Sequence, residues 1–135
     1  MSNKVNKGKK ADTRELTADE KELIAYTSKI EAMNKKIEER VIFHKQKHPD
    51  IWTLIVEDKF CLLSKPNRDT YEEVLGLVTP MPNIAPKFVT AGLRIMQACW
   101  IEGDKEMLSD DDYLCAAGPK AASMIKVKAA SIKKN

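Results

Sequence analysis

Residues 98–118, ACWIEGDKEMLSDDDYLCAAG, hold two cysteines, a tryptophan and six carboxylates in 21 positions. No other stretch of the chain looks more like chemistry. Cys99 and Cys115 could act as nucleophiles, and Asp104 with Asp110, Asp111 and Asp112 could gather a hard cation such as Ca2+ or Mg2+. The spacing argues against both. An EF-hand loop alternates Asp or Asn with other residues, carries a mid-loop glycine and ends on glutamate. Consecutive aspartates on a helix point about 100° apart and do not converge on one ion. No histidine lies in the segment to serve as a base for a thiol. The stretch reads better as a joint between helices. Cys99 and Trp100 close an apolar helix, Gly103 ends it at C′, and Ser109 caps the next, with Asp110–Asp112 in its positive first turn.

His44 and His48 stand at i, i+4, a spacing that places two imidazoles on one metal in HExxH motifs. The intervening residues are Lys-Gln-Lys, with no catalytic glutamate and with cations that oppose a dication. The five glycines, Gly8, Gly76, Gly92, Gly103 and Gly118, are scattered and build no phosphate loop. No Ser/His/Asp arrangement is evident. The sequence therefore assigns no catalytic residue, no metal ligand and no cofactor. It points to a surface rather than a reaction, and to a protein that is not an enzyme.

The elements that would build such a surface follow from periodicity. Residues 1–16 are read as a disordered basic tail, too polar to offset the entropy of ordering. Thr17 and Glu20 form a capping box. Leu23, Tyr26, Ile30, Met33 and Ile37 then recur at spacings of 3 and 4, giving a long amphipathic helix over 17–48 that stops at Pro49. This seam is the candidate partner-binding surface; it packs either on the chain's own body or on another chain, a homo-oligomer included. Ile51–Val56 and Phe60–Leu63 read as a β-hairpin around a polar turn. Two strands alone are marginal, so helices must cover a face or a second chain must extend the sheet. Asn67 or Asp69 caps a helix carrying Tyr71, Val74, Leu75 and Val78. A core helix is expected from about Pro86 to Ile101. Gly118-Pro119 is expected to break or kink the helix begun at Ser109, and a last helix is expected over about 120–132. The fold class is α+β, mostly α: a long N-terminal amphipathic helix, one β-hairpin, then three to four packed helices, with 50–135 as a small helical domain.

Of 135 residues, 23 are basic and 20 acidic. The ends are the basic part, with residues 1–14 and 119–135 carrying ten lysines and arginines against one aspartate. Such ends can meet nucleic acid, but they lack interleaved aromatics and clustered arginines, so base stacking and bidentate readout are not indicated. The three cysteines, Cys61, Cys99 and Cys115, lack CxxC spacing and fit a reducing compartment. No apolar run approaches a membrane span, and the N-terminus has no apolar signal region. The expected location is the cytoplasm.

DKFCLLSKPNRDTYEEVL, AGLRIMQACWIEGDKEML, DDDYLCAA and IKVKAASIKK occur in that order within residues 51–135. In this succession the chain resembles small tail-assembly-chaperone-type proteins of tailed bacteriophages and prophages. The resemblance implies a non-enzymatic protein of the host cytoplasm that binds the tape-measure protein, or another tail protein, and keeps a helical client soluble. The alternative is a phage virion or DNA-associated structural protein that uses its basic termini.

Overall fold

The first helix, α1, spans Ala18–His44. Its start keeps the Thr17 half of the expected capping box: the Glu20 N–H donates to Thr17 Oγ1 at 3.2 Å, while the Glu20 carboxylate accepts from that same hydroxyl at 3.2 Å. Regular helix gives out at His44 rather than running on to 48. There the Lys47 and His48 N–H groups both donate to the His44 carbonyl, which takes up the helix end before Pro49. The computed structural model describes residues 15–135; most of the expected basic tail, residues 1–14, lies outside the described residues. The chain divides into two units inside α1, between Lys35 and Lys36, and not at Pro49. The second unit holds every other element.

That unit is built on a three-stranded antiparallel sheet of order β1-β2-β3. β1 (Ile51–Val56) and β2 (Lys59–Ser64) form the expected hairpin, joined by Glu57 and Asp58. Glu57 adopts φ 55°, in the left-handed region. The third strand was not expected. The apolar helix α3 (Phe88–Cys99) ends two residues early, and Trp100–Gly103 runs on as β3 along the far side of β2. Gly103 is therefore a strand residue and not a helix C′ glycine. Its φ is 148°, and a Cβ there would lie 2.4 Å from Cys61 Cα, so the site accepts only glycine. The sheet is extended by the chain itself. A register shift between Leu62 and Leu63 leaves Ile101 with no residue opposite.

Cys61 and Leu63 turn one face of β2 to the main core, where they meet Val74 of α2 (Arg68–Val78), Ile95, Met96 and Cys99 of α3, Met107 of the single-turn α4 (Glu106–Ser109), and Leu114 of α5 (Asp111–Ala122). Asn67 caps α2 as expected, its Oδ1 accepting from the Thr70 N–H at 2.9 Å. The most extensive helix pairing is α3 against α5. A Cβ on Gly92 would sit 1.9 Å from the Gly118 carbonyl oxygen, so the two backbones touch. Pro119 does not break α5, which runs on to Ala122; Ser123 ends it, its N–H donating to the Pro119 and Lys120 carbonyls.

Two further expectations fail. Asp110, not Ser109, caps α5: its Oδ1 accepts from the Asp112 N–H at 2.9 Å, while Ser109 closes α4. The last helix over 120–132 does not form, and residues 125–135 are irregular. An isolated short helix is marginal in water, and here the Tyr71 hydroxyl donates to the Lys126 carbonyl, which a helix would use internally.

Candidate partner-binding surfaces

The seam residues differ in exposure along α1. Leu23 and Tyr26 are 65% and 51% exposed, Ile30 and Met33 are half-buried, and Ile37 is buried at 9%. Leu16 and Ile24 add to the exposed apolar surface of the first unit. Leu23, Ile24 and Tyr26 stand among lysine and glutamate, so the first unit presents apolar groups on a charged helix.

In the second unit the joint of residues 98–118 is structural. The Asp104 N–H donates to the Phe60 carbonyl at 3.0 Å, and Asp104 Oδ2 accepts from the Phe60 N–H at 3.1 Å, which prolongs the β2–β3 ladder. Asp110 is spent on its cap. Lys59 Nζ pairs with Glu106 at 3.2 Å, and the hydrogen bond it donates to this carboxylate leads the effects that raise the lysine above its ordinary pKa. Lys59 also lies over the Tyr113 ring, 5.6 Å from its centroid. Burial, aided by the charge of Asp104, pushes the Cys61 thiol up to about 12, and burial raises that of Cys99. Both stay protonated at neutral pH, as inert apolar packing; only Cys115 is exposed.

His44 does not face His48. Its Nε2 lies 2.6 Å from Glu102 Oε1, which also accepts from Arg40 Nε at 2.5 Å. Burial alone would raise the Glu102 carboxyl, but the hydrogen bonds and charges of Arg40 and His44 outweigh it and hold the group below the usual range. Glu102 stands opposite Leu62 in the ladder, so the cluster ties the last turns of α1 to the second face of the sheet. Arg40 stacks on Phe43 at 4.5 Å. Among the described residues no three His, Cys, Asp or Glu side chains gather to hold a metal ion, and no helix is long and apolar enough to cross a membrane.

Three features of the second unit escaped the sequence reading. Ile42 and Phe43 are exposed on the last turns of α1. Met81, Ile84 and Phe88 are exposed around the proline-rich loop before α3. A cavity of about 380 Å³ lies between β1 and the end of α5. In the loop, Met81 and Ile84 are the sequence signal of apolar surface in a segment without regular helix or strand.

Comparison of the chain with protein-family models, with curated proteins and with solved structures gave no match.

Proposed function

We propose that this chain is a non-enzymatic protein-binding protein whose long helix docks an amphipathic helical segment of its partner. The observation that carries the reading is the exposure of Leu23, Ile24 and Tyr26 on a helix otherwise rich in lysine and glutamate. Apolar anchors at helical spacing are what helix-in-groove and helix-on-helix recognition use, and clustered exposed apolar groups mark interaction sites. The resemblance to phage tail assembly chaperones supplies the client class: the tape-measure protein, or another tail protein, in the host cytoplasm. Holding such a client soluble requires only that its apolar stripe be covered until assembly.

Co-expression with a tape-measure protein tests this. The client's soluble fraction rises with the intact chain and falls back with the Leu23→Glu, Tyr26→Glu double variant, whose circular dichroism stays that of the parent. A client equally insoluble with and without the chain defeats the proposal. Sedimentation of the chain alone decides whether the same face also makes a homo-oligomer.

A second reading rests on the C-terminal segment. Lys120, Lys126, Lys128, Lys133 and Lys134 are all exposed, and residues 119–135 hold no acid. A DNA-associated structural protein would bind through these lysines, with affinity falling steeply as salt rises. A gel-shift titration without retardation at low salt removes that reading.

A further inference from the structure

β1 is an end strand of the sheet, so one side of its backbone has no strand beside it. The register shows which groups that side carries. The Phe60 N–H and carbonyl both bond toward Asp104, on the β3 side. Alternation then directs Lys59, Cys61 and Leu63 toward β1, and their partners Val56, Leu54 and Trp52 toward β2. Ile51, Thr53 and Ile55 are left with N–H and C=O groups aimed away from the sheet. Among the described residues no backbone hydrogen bond reaches Thr53 or Ile55 from that side.

The cavity of about 380 Å³ runs along this edge. Residues 52–55 form one wall; Lys120, Ser123, Met124 and Lys126, at and after the end of α5, form part of the other. Four consecutive strand residues line it although their side chains alternate between faces, and Leu63 of β2 lies behind them, so the cavity takes in the β1 edge together with the core-side face next to it. No acidic residue lines it, and Lys120 and Lys126 have no ion pair among the described residues. A free strand edge, an apolar trough and a cationic rim are together what an extended peptide needs to add as a strand.

We propose that β1 accepts an extended segment of a partner protein, apolar with interspersed carboxylates, as a fourth strand. Its amides pair with Thr53 and Ile55, its apolar side chains enter the trough beside Trp52 and Met124, and its carboxylates meet Lys120 and Lys126. Charge selects this occupant over a second copy of the chain, which would bring an uncharged strand, IWTLIV, and another pair of lysines. The site does not rest on the helical-client reading, because no residue of α1 lines it.

The probe is a short synthetic peptide of alternating valine and glutamate, added to the full chain, with a valine–lysine peptide as control. The glutamate peptide binds and slows amide hydrogen exchange at Thr53 and Ile55, and the lysine peptide does not bind. Thr53→Pro removes only an outward N–H, which an edge strand tolerates, and abolishes binding. Reversing Lys120 and Lys126 to glutamate weakens binding by about tenfold. Should Thr53→Pro unfold the chain, the charge-reversal pair and the exchange pattern decide alone. Absence of binding, equal binding of the lysine peptide, or binding that leaves the Thr53 and Ile55 amides unprotected overturns the proposal. So does a dimer of the chain that protects those amides without peptide.

Discussion

β1 and β2 have the same length, and by composition β1 is the more apolar: IWTLIV against KFCLLS. Yet β2 is buried on both faces from Phe60 to Leu63, whereas Trp52 and Ile55 of β1 stay 38% and 47% exposed. Hydrophobicity does not decide which strand forms the core. Position does. β2 has a strand on each side, α3 and α4 against one face and the Glu102-anchored end of α1 over the other. β1 has one strand neighbour and the tapering end of α5. The more apolar strand is thereby the one left with surface to offer.

The contrast can be broken most severely at Gly103. Gly103→Ala forces a side chain into the Cys61 backbone at a φ that L-residues avoid, and should cost about 3 kcal/mol or more in urea denaturation. It detaches β3 and makes β2 an edge, so the Phe60 and Leu62 amides should exchange far faster. Next in size is the paired truncation of one residue from each strand. Leu62→Ala should cost about 3 kcal/mol, and Ile55→Ala less than about 1 kcal/mol; equal losses would mean that place in the sheet is not what separates them.

A smaller effect concerns the cover over the second face. Because the Glu102 carboxyl titrates below its ordinary value when folded, its stabilising share is complete above the normal carboxylate range. That share is lost as pH falls through the lowered folded value. Glu102→Gln should therefore cost about 1 kcal/mol at neutral pH, a figure kept small because the pair is partly exposed. It should also flatten the acid limb of stability against pH. Least of all, Glu57→Gly relieves the left-handed backbone at the hairpin turn and should stabilise by about 0.5 kcal/mol. A loss on that substitution would show that the Glu57 side chain holds the turn.

What the sequence made legible was local. The Thr17 cap, the Asn67 cap and the hairpin are set by neighbours within a few residues, and all three form. β3 was hidden because Trp100 and Ile101 prolong the apolar pattern of α3, and Gly103 suits a helix end as well as a strand. Only pairing with Cys61 and Leu62, some forty residues earlier, separates the two. Ser109 and Asp110 are equally good caps, and the bond to the Asp112 N–H chooses between them. The pattern of Ala122, Ile125, Ala129 and Ile132 is helical in sequence, but only Ala122 and Ile125 reach the core, while Ala129 and Ile132 stay exposed. For the candidate surfaces the limit is of another kind. The spacing of Leu23, Tyr26, Ile30, Met33 and Ile37 is uniform, while burial along it runs from exposed to covered. The β1 edge follows from sheet order, which no local pattern contains.

The strand order also fixes a sequence of events at the ribosome. The hairpin emerges long before β3, so during synthesis β2 too has a naked edge, and Phe60, Cys61, Leu62 and Leu63 wait for α3 and the residues beyond it. Translation adds on the order of ten residues per second, so this interval lasts seconds. A nascent chain stalled after α2 would display the most aggregation-prone segment of the protein. Apart from its partner β1, what then flanks it are the charged Glu57, Asp58 and Lys59 at the hairpin tip and Lys65 at its other end.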